Sequence, residues 1–238
     1  KTSTRENQFV PTNIIALLRD SIVEENDDYI ALNKPEGIAS HGGSGISIGV
    51  IETIRNFGKS YRDAKLVHRL DKDTSGCQII AKNNKFLRRC NKLISDRKVK
   101  KTYQAIVHGN WLHKDGLYEI NVKKNMLIGK ERMVRISKGG KVAKTFFQTI
   151  ESNNHFSLIQ CELITGRTHQ LRVHLSELGF PIVGDKKYGL KESKFLKASS
   201  HKKRMYLHAS SFISEDLNIH LSVKPPIDFK KILKNNDE

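Results

Sequence analysis

An α+β fold with a mainly antiparallel sheet is what the sequence predicts, on three observations. "KTFFQTIESNNHFSLIQCELITG", residues 144–166, reads as two strands around the turn Ser152-Asn153-Asn154. "RMYLHASSFIS" and "LNIHLSV", 204–214 and 217–223, read as a second hairpin. Strand pairs of this kind outnumber strand–helix–strand units, which disfavours a doubly wound parallel sheet.

The remaining elements follow in order. Residues 1–20 are polar and then briefly apolar (Ile14-Ile15-Ala16-Leu17-Leu18), which predicts a linker with a short docking segment. "YIALNKPEG", 29–37, is a short apolar strand stopped by Pro35 and Gly37. "SHGGSG" follows as a loop. Ser47, Val50, Ile51, Ile54 and Phe57 recur at helical spacing, with Gly58 suited to the position after the helix end. "KLVHRLD" leads into a polar turn, and "CQIIA" is a short buried strand. Asn83 or Asn84 can cap a helix whose Phe86, Leu87, Cys90, Leu93 and Ile94 share a face. "TYQAIVHG" alternates and is a strand, with Tyr103, Ala105 and Val107 on one side. "RTHQLRVHLSELG", 167–179, predicts a helix with a Leu171, Leu175, Leu178 stripe, ended by Gly179. Pro225-Pro226 then precede a short basic tail helix.

The 238 residues carry a net charge of +17, spread along the chain with clusters such as Arg97-Lys98-Lys100-Lys101, Lys123-Lys124 and Lys202-Lys203-Arg204. That excess exceeds what solubility requires and draws polyanions, nucleic acid first and acidic membrane surface second. No run of about 18 apolar residues is present to span a membrane, and no apolar core follows the first basic residues as in a signal peptide. Cys77, Cys90 and Cys161 are odd in number and sit in apolar patterns, so they read as buried thiols of a reducing compartment. Neither HExxH nor paired CxxC accompanies the histidines, and no metal is expected.

Three islands could carry chemistry, and each also has a plain structural reading. In "HRLDKDTSG", 68–76, Asp71 can accept backbone hydrogen bonds in a turn, or it can be a carboxylate kept for reaction. In "GRTHQLRVH", 166–174, Arg172 flanks the apolar stripe. It is either a solvated surface charge or a cleft residue that keeps a carboxylate ionised. In "KKTYQAIVHG", 100–109, Tyr103 is a core residue or a stacking platform for an unpaired base, worth about 1–3 kcal/mol.

Together these islands resemble the RluA-type pseudouridine synthase family, whose loop pattern is HRLD, two variable residues, then TSG. "NKPEG", "KKTYQAIVHG", "ITGRTHQLRVHLSELGFPIVGDKKYG" and "LHA" resemble the family in the same order, over about residues 25–228. The stretch "LIGKERMVRISKGGKVAKTFF" is most similar to the branch acting on large-subunit ribosomal RNA.

The resemblance implies a pseudouridine synthase fold: a long, mixed, mainly antiparallel sheet with flanking helices and a central catalytic cleft. It implies a cofactor-independent isomerase that flips selected uridines out of 23S (large-subunit) ribosomal RNA, alternatively tRNA, and joins C5 of the base to the sugar in place of N1. Asp71 is then the catalytic aspartate, Arg172 its basic partner, and Tyr103 the tyrosine that packs on the target base. Arg69 is the candidate for insertion into the gap left by the base. His68, Thr74, Arg167, His169 and Gln170 are the further RNA-binding positions, and Thr74, Ser75 and Gly76 form the turn that fixes the loop. The expected setting is cytoplasmic, as a monomer with structured RNA as partner, no obligate protein partner and no membrane. Ribosomal RNA enzymes of this branch commonly carry a small S4-type module first. Residues 1–20 are therefore expected to be a linker or remnant after such a module, the more so as Lys1 is not an initiator Met, and 21–238 the catalytic domain.

Two rivals come from other classes. A pure RNA-binding protein would share the charge but has no need of Asp71, Tyr103 and Arg172 together. A glycosidase would need a second acid beside Asp71 in a matched motif, and none accompanies it.

Overall fold

The computed structural model describes residues 10–43, 48–128, 131–190 and 204–234. Its spine is an 11-stranded sheet. The strands are β1 (Ile22–Glu25), β2 (Tyr29–Lys34), β3 (Lys65–Leu66), β4 (Ser75–Ala81), β5 (Lys100–His108) and β6 (Gly116–Ile128). They continue with β7 (Glu131–Ile136), β8 (Lys141–Ser152), β9 (Phe156–Leu163), β10 (Leu207–Ser214) and β11 (Ile219–Ser222). The spatial order is β1-β2-β4-β10-β5-β9-β8-β6-β7, with β11 on β10 and β3 on β4. The two predicted hairpins, β8–β9 and β10–β11, are antiparallel pairs. β4 and β10 run parallel through His208–Ser75 and Ala209–Gly76, so the sheet is mixed.

Among the described residues five α-helices cover the sheet: α1 (Thr12–Asp20), α2 (Val50–Arg55), α3 (Asn84–Ser95), α4 (Gln170–Glu177) and α5 (Asp228–Lys234). α3 begins where the Asn83 side chain accepts the Phe86 N–H at 2.8 Å, which satisfies one of the open donors of a helix start. Its Phe86, Cys90 and Leu93 pack on Ala31, Cys77 and Ile79. On the other face of β2 and β4, Leu18 of α1 and Val50, Ile51 and Ile54 of α2 meet Ile30, Leu32 and Ile80. At the other half of the sheet, α4 packs through Leu171 and Leu175 on Tyr103, Ala105, Val107, Phe147 and Ile159. α5 covers Ile106, Phe156 and Tyr206 on the reverse side. Residues alternating along β5 thus feed two separate cores, as a strand buried on both faces requires.

The expected docking segment, Ile14–Leu18, lies in helix α1, with Leu18 fully buried against the core of β2 and β4. The predicted helix over 167–179 begins only at Gln170 and ends at Glu177, since His169 takes a left-handed conformation (φ 52°). β6 and β7 form a long hairpin, pairing Val122 with Ile136, over a stretch to which periodicity assigns no element. Ser47, part of the expected second helix, lies outside the described residues, as do 44 and 45 of the "SHGGSG" loop.

Gly76 fixes where the sheet changes direction. It sits at φ +109°, and a Cβ there would stand 2.2 Å from the Ala209 carbonyl oxygen. Only a residue without a side chain lets β4 approach β10 so closely. Gly76→Ala is expected to cost about 1–3 kcal/mol, read as a lowered urea midpoint, with activity lost in parallel because the Asp71 loop feeds this junction. An unchanged midpoint would show that the strands can move apart freely.

Two fully buried histidines make the fold acid-sensitive. Burial pushes His174 and His208 down to about 4 from 6.5. Their folded values lie below their unfolded ones, so the stability they contribute is present above pH 6.5 and lost as pH falls towards 4. The expected loss across that window is on the order of 2 kcal/mol per histidine, measured as urea midpoints against pH. A flat profile would mean that both rings protonate without unfolding.

Candidate active site

One row of residues crosses the middle of the sheet. Gly76 of β4 pairs with Ala209 of β10, Ala209 with Tyr103 of β5, and Tyr103 with Cys161 of β9. The first island therefore exits beside the strand that carries the second. The third arrives from above on α4, and Leu70, Tyr103 and Leu171 share one apolar cluster. The residue adjacent to each of two of these anchors, Asp71 after Leu70 and Arg172 after Leu171, is thereby aimed at the same place.

The result is a cleft of about 1350 Å³. Its lining includes all nine expected positions: His68, Arg69, Asp71, Thr74, Tyr103, Arg167, His169, Gln170 and Arg172. Its volume exceeds the roughly 300–1,000 Å³ of pockets that hold one small ligand.

Asp71 sits in a pinned turn. The Thr74 N–H donates to the Asp71 carbonyl at 3.1 Å, and Gly37 N–H and Lys34 Nζ both donate to the Lys72 carbonyl, at 2.9 and 3.2 Å. Ser40 Oγ donates to the Leu70 carbonyl at 2.7 Å and accepts the Leu70 N–H at 2.9 Å. The loop is thus held by backbone contacts while its carboxylate stays 31% exposed to the cleft.

Arg172 orders that carboxylate. Its Nη1 donates to Asp71 Oδ2 at 2.9 Å. The other edge of the guanidinium forks onto Asp185: Nε to Oδ2 at 2.7 Å and Nη2 to Oδ1 at 2.8 Å. Its plane lies over the Tyr188 ring, 5.1 Å from the centroid. Burial alone would lower the Arg172 pKa, but Asp185 and Asp71 outweigh it and hold the pKa above the ordinary arginine value. Burial likewise works to raise Asp185, and is overcome by Arg172 and by the N–H groups of Lys187 and Tyr188, so its pKa ends below the usual range.

Tyr103 is buried on the cleft floor, and no described residue hydrogen-bonds its hydroxyl. Burial and the nearby negative charge of Asp71 push its pKa well above that of a free phenol, so it stays protonated. His169 stands on the far wall with Nε2 3.7 Å from Asp71 Oδ2 and Nδ1 2.8 Å from the Tyr188 hydroxyl. That hydroxyl also accepts the Val134 N–H at 3.1 Å. Desolvation lowers the His169 pKa, opposed by Asp71 and reinforced by Arg172.

The remaining positions divide. Arg69 is exposed at the rim and no described residue pairs with it. Arg167 is half-buried, with Nε bound to the Val142 carbonyl at 2.9 Å. Thr74 is buried in the turn. His68 and Gln170 line the cleft, with His68 Nε2 and the Gln170 amide bonded within the protein. His68 Nε2 accepts the Ile79 N–H at 3.1 Å, its ring stacks on Phe212, and burial drives its pKa far below 6.5. Gln170 accepts from Arg167 N–H and Thr165 Oγ1 and donates to Lys144 O and Thr145 Oγ1, so all its capacity is used inside.

Sequence reasoning gave no role to Asp185 and Lys34, which lie inside the motifs "GDKKYG" and "NKPEG". Lys34 is fully buried beneath the Asp71 turn, with Nζ near the carbonyls of Pro35 and Ile38 as well as Lys72. Burial brings its pKa down to about 7. Each residue has a small signal in sequence, a charge tied to a neighbouring Gly or Pro, but neither stands out without coordinates.

A mixed sheet with an aspartate and an arginine facing each other over a tyrosine in a basic cleft defines a class. The chain belongs to the RNA pseudouridylate synthase family, whose model matches residues 28–177. It is therefore an RNA-modifying isomerase. Among curated relatives it is 39% identical over 215 residues to ribosomal large subunit pseudouridine synthase C of Salmonella typhi, covering 89% of this chain and 67% of that protein. It is 42% identical over 199 residues to the protein of the same name from Haemophilus influenzae, covering 84% and 62%. The chain thus spans about two-thirds of the length of such relatives. Among solved structures, human RNA pseudouridylate synthase domain containing 4 superposes with a TM-score of 0.76 at 26% identity, covering 92% of this chain and 93% of that one. Human RNA pseudouridylate synthase domain containing 1 gives 0.70 at 25%, covering 90% and 86%.

Proposed function

We propose that this chain isomerises selected uridines of large-subunit ribosomal RNA to pseudouridine, with Asp71 acting at the sugar carbon. The observation that carries the reading is the Asp71 carboxylate, fixed by Arg172 at 2.9 Å yet open to a cleft large enough for an extruded nucleotide. The C1′–N1 bond breaks, the base turns, and C1′ bonds to C5; the C5 proton leaves and N1 regains one. Asp71 either bonds to C1′ or stabilises positive charge there. Tyr103 offers a flat, protonated ring for the base. Arg69, exposed at the rim, is placed to fill the vacated stack, and surface lysines and arginines hold phosphates.

The choice of ribosomal RNA is supported by the names of the relatives and by the likeness of residues 127–147 to that branch. The three buried free thiols suit a reducing cytoplasm. None of the helices among the described residues is long and apolar enough to cross a membrane.

The deciding experiment maps pseudouridines chemically in ribosomal RNA and tRNA from cells with and without this protein. Sites lost from large-subunit RNA are the expected result. Loss from tRNA alone would reassign the substrate, and no loss anywhere would overturn the reading.

A further inference from the structure

We infer that the outward face of α3 is a second RNA-binding surface, a row of cations that grips the backbone of a double-helical segment flanking the target uridine. The inference rests on the reading of the chain as an RNA enzyme but on different residues.

Lys85, Arg88 and Lys92 recur at three- and four-residue spacing on the face opposite Phe86, Cys90 and Leu93. All three are exposed, and no described carboxylate pairs with them. A helix that merely needs solubility interleaves acids with bases at that spacing, which stabilises it. From Asn84 to Ser95 α3 holds no acid at all. Arg88 and Lys92 are like charges at i and i+4, and Lys85 places a cation in the first turn, against the helix dipole. These choices work against the helix itself and are explained by an external polyanion.

The row also leads somewhere. The C-terminal end of α3 supplies Ile94 and Ser95 to the cleft lining, followed by Arg97 and Lys98. Arg97 is held at φ 59°, unusual for a residue with a long side chain. The basic face and the Asp71 cleft are therefore one continuous surface. The twelve residues of α3 form a rigid rod of about 18 Å, which suits a stiff duplex better than a loose strand.

The test is the variant Lys85→Gln/Arg88→Gln/Lys92→Gln, since glutamine keeps helix propensity. Far-ultraviolet circular dichroism checks that the fold is retained. Dissociation constants are measured against salt for two probes, an RNA duplex of about 20 base pairs and a uridine oligomer of about ten nucleotides. For the duplex we expect affinity to fall about tenfold or more at low salt, and the slope of log K against log salt to shrink by about 2–3. The oligomer is a flexible single strand with no rigid backbone to match the row, and should bind within about twofold of wild type. Unchanged duplex affinity and slope would overturn the inference, as would equal losses on both probes, which would indicate only the general field. Loss of binding to phosphatidylserine vesicles with RNA binding intact would assign the face to a membrane instead. Because binding is read directly, absence of pseudouridine formation by the wild type would defeat the proposed function and leave this result standing.

Discussion

Asp71→Asn is expected to abolish uridine isomerisation, lowering the rate by at least about four orders of magnitude, or ~5.5 kcal/mol of barrier. The amide cannot attack the sugar carbon or offset charge there, although its carbonyl oxygen can still accept from Arg172. The fold should survive. Arg172 keeps two contacts to Asp185, so losing the Asp71 carboxylate leaves no unpaired buried cation. RNA affinity should stay within a few fold, because phosphate contacts lie elsewhere. Single-turnover assays with quantified binding separate these outcomes. Near-normal turnover would show that Asp71 is not the reacting group.

Arg172→Ala is expected to fail twice. Arg172 is 9% exposed, and Asp185 facing it is 5% exposed. Removing one partner of a buried ion pair costs about 3–5 kcal/mol because the other charge is left uncompensated. Here the Lys187 and Tyr188 N–H groups still hold Asp185, which places the loss towards the lower end. Activity should fall as well, since no other described residue fixes the Asp71 carboxylate within 3 Å. Arg172→Lys separates the two effects. A lysine can meet one carboxylate but not fork onto one and reach the other, so stability should return in part while activity stays low. Unchanged kinetics in either variant would show that Arg172 does not position the Asp71 carboxylate for reaction.

Much of the sheet was legible because its hairpins and the α3 face rest on local period. Asn83 could be read as a cap since capping needs only neighbouring residues. The misreadings arose where the partner is distant. α1 was legible only as a brief apolar docking run because its one fully buried side chain, Leu18, answers to strands β2 and β4. The start of α4 was misplaced because His169 adopts its left-handed turn between Tyr188 and Asp71, contacts invisible to a local window. In the cleft, Asp71, Tyr103 and Arg172 were reachable only through resemblance, since spacing cannot show that residues 101 positions apart bond. Resemblance in turn treated whole motifs as functional. It could not separate Arg69, which faces solvent, from His68 next to it, which faces the core.

The guanidinium of Arg172 is shared between an acid sealed in the protein and an acid open to the substrate. Should the open acid become esterified to ribose, it ceases to be an anion midway through turnover. In a two-membered pair that event would strand a cation in a poorly solvated wall. The sealed acid prevents this, because Arg172 and Asp185 remain a neutral pair whether the open acid is an anion or an ester, so the chain need not rearrange to accommodate such an intermediate.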